Sequence, residues 1–145
     1  MTQSSEYLLG NSPDERERLL RQGELFDPAA RSLLDRMELR PGARALEIGC
    51  GPLGILDQIS ERVGPQGSVV GLDRDAQMRD WARLSIAERA LGNVEIVAGE
   101  AESTGLPRES FDLVHARLVL INVAACGEVV SEMVALARPG GLVAV

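Results

Sequence analysis

A chain of 145 residues with 45% hydrophobic and 26% charged side chains holds enough apolar material for the core of one domain and too much for a disordered tail. Its net charge of -7 repels phosphate backbones and acidic lipid surfaces, so neither nucleic acid nor membrane is expected as a partner. No stretch approaches the ~18 apolar residues of a membrane span, and the start Met1-Thr2-Gln3-Ser4-Ser5-Glu6 lacks a basic or apolar leader pattern; Cys50 and Cys126 stand apart without metal-ligand spacing. A cytoplasmic, metal-free protein is expected.

In chain order, Ser12-Pro13-Asp14-Glu15 combines a capping serine, proline at the first helical position and an acid three residues after the cap, which predicts a helix to about Gln22. Asp27-Pro28 repeats the pattern, and Leu33, Leu34 and Met37 give an apolar stripe that ends before Pro41-Gly42. Residues 1–40 are thus expected to form a helical pair that leans on the sheet or covers its mouth. Ala45, Leu46 and Ile48 then form a short buried strand that runs into a glycine turn, Gly49-Cys50-Gly51-Pro52-Leu53-Gly54. A helix beginning near Gly54 places Ile55, Leu56, Ile59 and Val63 on one face and breaks at Gly64-Pro65-Gln66-Gly67.

The second strand, Ser68 to Leu72, delivers Asp73 at its carboxyl end. A helix from Ala76 to Leu91 turns Met78, Trp81 and Ala82 inward, with Gly92-Asn93 expected as its left-handed cap. Strands at Val94 to Ala98 and Phe111 to His115 follow. A helix from about Ala124 to Ala137 leads through the turn Arg138-Pro139-Gly140-Gly141 to a fifth strand at Leu142 to Val145. Strands alternating with helices predict an α/β fold: a Rossmann-like, doubly wound parallel sheet with helices on both faces over residues 41–145. Ending on four apolar residues, that strand is expected to belong to a truncated product, or to be covered by a second copy or another chain.

Ligands of such a sheet sit beyond the carboxyl ends of the strands, where strand order reverses. Three segments converge there: Glu47 to Gly51, Asp73-Arg74, and Gly99-Glu100-Ala101. Gly49 and Gly51 let a flat ligand approach the main chain, and the start of the following helix favours an electron-rich group. Asp73 follows Gly51 by 22 residues, the interval at which an acid after strand two accepts both hydroxyls of a ribose. Glu100 and the main chain of Ala101 suit the amino edge of an adenine, with Arg74 or Met78 against its ring. Residues 49–54 also satisfy G-x-G-x-x-G, so a nicotinamide cofactor is a competing expectation. Pro52 removes a donor that a pyrophosphate would use, and Glu47 adds negative charge beside it.

These residues resemble the class I S-adenosylmethionine-dependent methyltransferases. Leu46-Glu47-Ile48-Gly49-Cys50-Gly51 is similar to their first motif, Gly71-Leu72-Asp73 to their ribose-binding acid and Gly99-Glu100-Ala101 to their adenine-edge segment. Phe111-Asp112-Leu113-Val114 and Arg138-Pro139-Gly140-Gly141 resemble the motifs at and before the last two strands. Tyr7-Leu8-Leu9-Gly10 and Arg117-Leu118-Val119-Leu120-Ile121-Asn122 resemble a bacterial subgroup that modifies small molecules, which implies that Tyr7, Gln22 and Arg117 lie near the methionine end of the cofactor. The resemblance implies S-adenosylmethionine as cofactor, a small-molecule acceptor and methyl transfer by in-line displacement. Members of the family normally continue through two more strands, which this chain lacks. A catalytically silent cofactor-binding or interaction domain is the rival from another class. His115, the only histidine, is a candidate base, while Cys50 is expected to contact cofactor rather than attack as a nucleophile.

Overall fold

The computed structural model describes residues 12–145. Tyr7 and the Tyr7-Leu8-Leu9-Gly10 motif lie outside them. The elements are α1 (Pro13–Arg36), β1 (Arg44–Ile48), α2 (Leu56–Val63), β2 (Ser68–Asp73), α3 (Ala76–Glu88), β3 (Val94–Ala98), β4 (Phe111–Ala116), α4 (Cys126–Leu136) and β5 (Ala137–Ala144), with a 3-10 turn at Leu120–Asn122. The five strands form one parallel sheet in the order β3-β2-β1-β4-β5. The chain winds outward from β1 to β3 and then returns to the other side of β1. The reversal therefore falls between β1 and β4.

Alternate side chains of the strands feed two cores. On one face Ala45, Val69, Ile96 and Leu113 meet Ile55, Leu56, Ile59 and Val63 of α2 and its cap, Ala82 of α3, and Ala30 and Leu34 of α1. The four α2 residues are fully buried, each contributing roughly 1.5–3 kcal/mol. On the other face Leu46, Ile48, Val70, Leu72 and Val114 meet Val129, Met133 and Leu136 of α4. Helices thus cover both faces, three on one and one on the other, as right-handed crossovers require.

The expected helical pair is one unbroken helix, α1, with Pro28 inside it. Ser12 caps it as predicted, its hydroxyl accepting from the Glu15 N–H. Asp27 does not cap a second helix: its carboxylate accepts from Gln58 Nε2 at 3.0 Å, and Ala30 and Leu34 are buried just beyond the proline. These tertiary contacts outweigh the local break that proline favours. Arg16 reaches Ser85 and Glu88 on α3, and Arg62 of α2 reaches Asp35, so α1 lies across both helices.

α3 ends at Glu88, short of the expected Leu91, and the left-handed residue is Ala90 (φ 53°) rather than Gly92 or Asn93. The Leu91 N–H donates to Ile86 O and the Ala90 N–H to Ala87 O, both at 3.1 Å, which closes the helix in a Schellman turn. Asn93 is engaged elsewhere, its amide donating to the carbonyls of Ser60 and Gly64 at the end of α2. Alanine in a left-handed conformation is strained, so Ala90→Gly is expected to stabilise the protein by about 0.5–1 kcal/mol. A raised urea midpoint at unchanged slope is the readout.

The expected turn at Arg138-Pro139-Gly140-Gly141 lies within β5. Ala137 pairs with Phe111 and Leu142 with Leu113, so β5 advances five residues while β4 advances two. A Cβ on Gly141 would come within 2.9 Å of the Phe111 and Arg138 carbonyls, which leaves room there only for glycine.

Candidate functional site

A cavity of about 600 Å³ opens at the carboxyl ends of β1, β2 and β4, at the strand-order reversal. Gln22, Glu47, Gly49, Cys50, Gly51, Asp73, Arg74, Glu100, Ala101 and Arg117, the predicted cofactor-binding residues within the described chain, all border it, as does Met78. The sheet brings together segments that are 95 residues apart between Gln22 and Arg117 in the sequence.

The glycine turn is held from below. Glu47, 1% exposed, turns both carboxylate oxygens to the Ile55 N–H, at 2.9 and 3.2 Å. The first free donor of the α2 start is therefore taken by the chain's own carboxylate, and the expected attraction for an electron-rich guest is met internally. A Cβ on Gly54 would lie 2.5 Å from Glu47 Oε1, and one on Gly49 would lie 2.5 Å from a Val119 methyl. Both residues have positive φ, 56° and 65°. Glu47 and Val119 fill the space that a larger residue would need.

Asp73 is the site's fixed acceptor. Its Oδ2 takes the Gly51 N–H at 2.9 Å, tying the end of β2 to the turn after β1, and its Oδ1 takes the Asp75 N–H at 3.0 Å. Asp75 in turn caps α3 through the Met78 N–H. Burial pushes the Asp73 carboxyl above its ordinary value, more than the two N–H donors pull it down. Each oxygen keeps a lone pair for a further donor.

Cys50 borders the cavity but is 1% exposed; its thiol packs toward Gly71, where a Cβ would come within 3.1 Å of the sulfur. Burial, then Glu47 and Asp73, push its thiol well above the usual range, which disfavours the reactive thiolate. His115 is 3% exposed and does not border the cavity; its Nδ1 lies 3.5 Å from Glu47 Oε1 beneath the turn. At that position its Nδ1 faces Glu47 rather than the cavity. Trp81 and Ala82 pack into the core, as expected, and Met78 is 3% exposed beside Asp75.

Further side chains contribute to the site and its support. Phe26, Asp27, Leu118, Val119 and Ile121 also border the cavity, with Leu118 (44% exposed) and Ile121 (77% exposed) forming an apolar rim. Glu132 on α4 accepts from the backbone N–H and hydroxyl of Thr104, at 2.9 and 2.7 Å, and so pins the loop that carries Glu100 and Ala101. The Thr104 hydroxyl holds the Glu132 carboxyl below its ordinary value. Its stabilisation is therefore present above the ordinary carboxyl range and lost as pH falls through the lowered value. Glu132→Ala is expected to cost roughly 1 kcal/mol, discounted for partial exposure, and to speed amide exchange over residues 99–110.

Among the described residues no group of three or more His, Cys, Asp or Glu could hold a metal ion, and no helix is long and apolar enough to cross a membrane. The sequence profile of the methyltransferase domain family matches residues 46–145. Nocamycin O-methyltransferase of Saccharothrix syringae is 38% identical over 118 residues, 81% of this chain and 42% of that protein. Demethylmenaquinone methyltransferase of Geobacillus kaustophilus is 36% identical over 110 residues, 76% of this chain and 47% of that protein. The chain spans less than half the length of these curated relatives. Among solved structures, a SAM-dependent methyltransferase from Aquifex aeolicus superposes with a TM-score of 0.76 at 25% identity, covering 88% of this chain and 68% of that one. With its sheet order, its glycine turn and a family match over more than half its length, the chain belongs to the class I S-adenosylmethionine-dependent methyltransferases.

Proposed function

We propose that this chain binds S-adenosylmethionine and serves methyl transfer to a small-molecule acceptor by in-line displacement. The observation that carries the reading is the charge of the cavity: seven acidic side chains (Glu24, Asp27, Glu47, Asp57, Asp73, Glu100, Glu102) face four arginines (Arg18, Arg74, Arg89, Arg117). A net acidic site suits a cofactor with a sulfonium and an ammonium and repels the pyrophosphate of a nicotinamide dinucleotide. Pro52 and the Glu47-occupied start of α2 leave few donors for phosphate. The residues fit the cofactor's other parts too: nothing lies within 4 Å of where a Gly51 Cβ would sit, and Asp73 has lone pairs to spare.

In this reading Asp73 accepts the ribose hydroxyls, Glu100 and the Ala101 main chain meet the adenine edge, and Arg74 and Met78 flank its ring. Gly49, Cys50 and Gly51 pass beneath the ligand, and Glu47 fixes their turn while adding negative potential near the ammonium. Gln22 and Arg117 stand at the methionine end, and residues 1–40, with Tyr7 among them, cover the site. S-adenosylmethionine supplies a methyl group on a sulfonium that is already a good leaving group. The chain's own task is to align an acceptor, worth up to roughly 7–11 kcal/mol, without a base. Phe26, Leu118 and Ile121 at the rim support an acceptor with an apolar ring system, in keeping with relatives named for nocamycin and demethylmenaquinone. β5, an edge strand with Leu142 and Val143 each 37% exposed, supports a covering chain or second copy, which sedimentation would read.

Calorimetric titration with S-adenosylmethionine and NAD tests the cofactor: binding of the first and not the second is expected, and the reverse overturns the reading. Formation of S-adenosylhomocysteine with an aromatic acceptor panel tests the activity; binding without turnover would leave a cofactor-binding domain.

A further inference from the structure

Arg117 is one of four arginines that line the cavity. It follows β4 directly, with its side chain 19% exposed, and its Nη2 donates to the Gly54 carbonyl at 3.4 Å. Its guanidinium carbon lies 5.8 Å from the centre of the Phe26 ring. α1 passes so near that a Cβ on Gly23 would be 3.4 Å from Nη2. Nη1 lies 4.0 Å from Asp27 Oδ1, is buried and has no hydrogen-bond partner. Asp27 is itself held, since Oδ1 accepts from Gln58 Nε2 at 3.0 Å.

Three separate elements thus restrain one long side chain: α1 through Gly23, Phe26 and Asp27, the glycine turn through Gly54, and α2 through Gln58. A free arginine keeps about 2 kcal/mol of rotamer entropy that a bound anion would have to overcome. In a cavity that seven acidic side chains and four arginines line, a guanidinium held beside the glycine turn offers a place for a carboxylate. Asp27 opposes the guanidinium's charge without bonding to Nη1, so it directs the group and leaves that donor unused.

We propose that Asp27, held by Gln58, is a positioning residue that aims Arg117 at the amino-acid carboxylate of the cofactor. The proposal rests on the cofactor reading above, and it makes α1 a part of the site's chemistry as well as its cover. Its specific consequence is that Asp27 affects only ligands that carry the amino-acid end.

The test is calorimetry on the full chain with S-adenosylhomocysteine and with methylthioadenosine, which lacks that end. Asp27→Asn is expected to weaken S-adenosylhomocysteine binding about three- to tenfold and leave methylthioadenosine binding unchanged. Arg117→Ala should show the same discrimination more strongly, and the double variant should bind no worse than Arg117→Ala alone. Equal losses for both ligands, or no loss for either, would overturn the proposal by making Asp27 structural or irrelevant. An additive double variant would overturn it as well, because Asp27 would then act without Arg117. Should Asp27→Asn fail to fold, Phe26→Leu, which removes the ring beneath the guanidinium, is expected to give the same selective loss. Failure of the unmodified chain to bind either ligand would sink the cofactor reading itself. Binding of both, with Arg117→Ala indifferent, would sink this proposal alone.

Discussion

Asp73→Asn is expected to lower affinity for S-adenosylmethionine by roughly ten- to a hundredfold, the cost of about 1.5–3 kcal/mol for losing a charged acceptor of two hydroxyls. The same change is not expected to lower the melting temperature of the ligand-free protein at neutral pH. Burial raises the Asp73 carboxyl above its ordinary 3.8, so the fold disfavours its charged form. A raised acid contributes to stability below its unfolded value and loses that contribution as pH rises through the folded one. At pH 7 the buried charge works against folding, and neutralising it offsets the hydrogen bond that asparagine cannot make. Ligand binding runs the opposite way, because the hydroxyls need the ionised acceptor. Affinity is expected to fall as pH drops through the raised value, with the acid limb above 3.8 and absent in Asp73→Asn. Titration calorimetry across pH and thermal unfolding of both proteins check the pair; a variant that loses stability and affinity together would contradict it.

Gly54→Ala is expected to destabilise the chain by roughly 3 kcal/mol, a large share of the ~5–15 kcal/mol that holds a typical domain together. Two costs combine. The residue sits at φ 56°, and its new methyl would lie 2.5 Å from a carboxylate oxygen that cannot retreat without releasing the Ile55 N–H. Gly51→Ala, at a similar φ of 54° but with open space around it, should pay only the backbone cost. Its expected defect is in ligand binding. Chemical denaturation of the two variants side by side separates the two costs.

Much of this fold can be read locally. The first four strands are short, largely apolar runs bounded by turn residues, and β3 runs over the predicted Val94–Ala98. The three loop segments at the carboxyl ends follow from strand order alone, and so does their meeting at one cavity. What escapes is whatever depends on distant partners. Asp27-Pro28 has the local signature of a helix start, and only Gln58 and the buried Ala30 and Leu34 carry the helix through it. Ala90 takes a left-handed conformation two residues before a glycine that would adopt it freely, because Asn93 is drawn to the end of α2. The Arg138-Pro139-Gly140-Gly141 segment reads as a turn, whereas pairing with β4 across an irregularity absorbs it into a strand. Glu132 offers no spacing by which to recognise it, since its partner Thr104 lies on another element.

Pro28 divides α1 unequally in mechanical terms. Because proline carries no N–H, the rung from residue 28 to the Glu24 carbonyl cannot form, and the rod is softest there. Before that joint lie the residues that wall the cavity, Arg18 to Asp27; after it lie Ala30 and Leu34, bolted into the body of the protein. The bonds from Arg16 to α3 and from Gln58 to Asp27 brace the half before it, so the wall keeps its place over the sheet although a rung is missing.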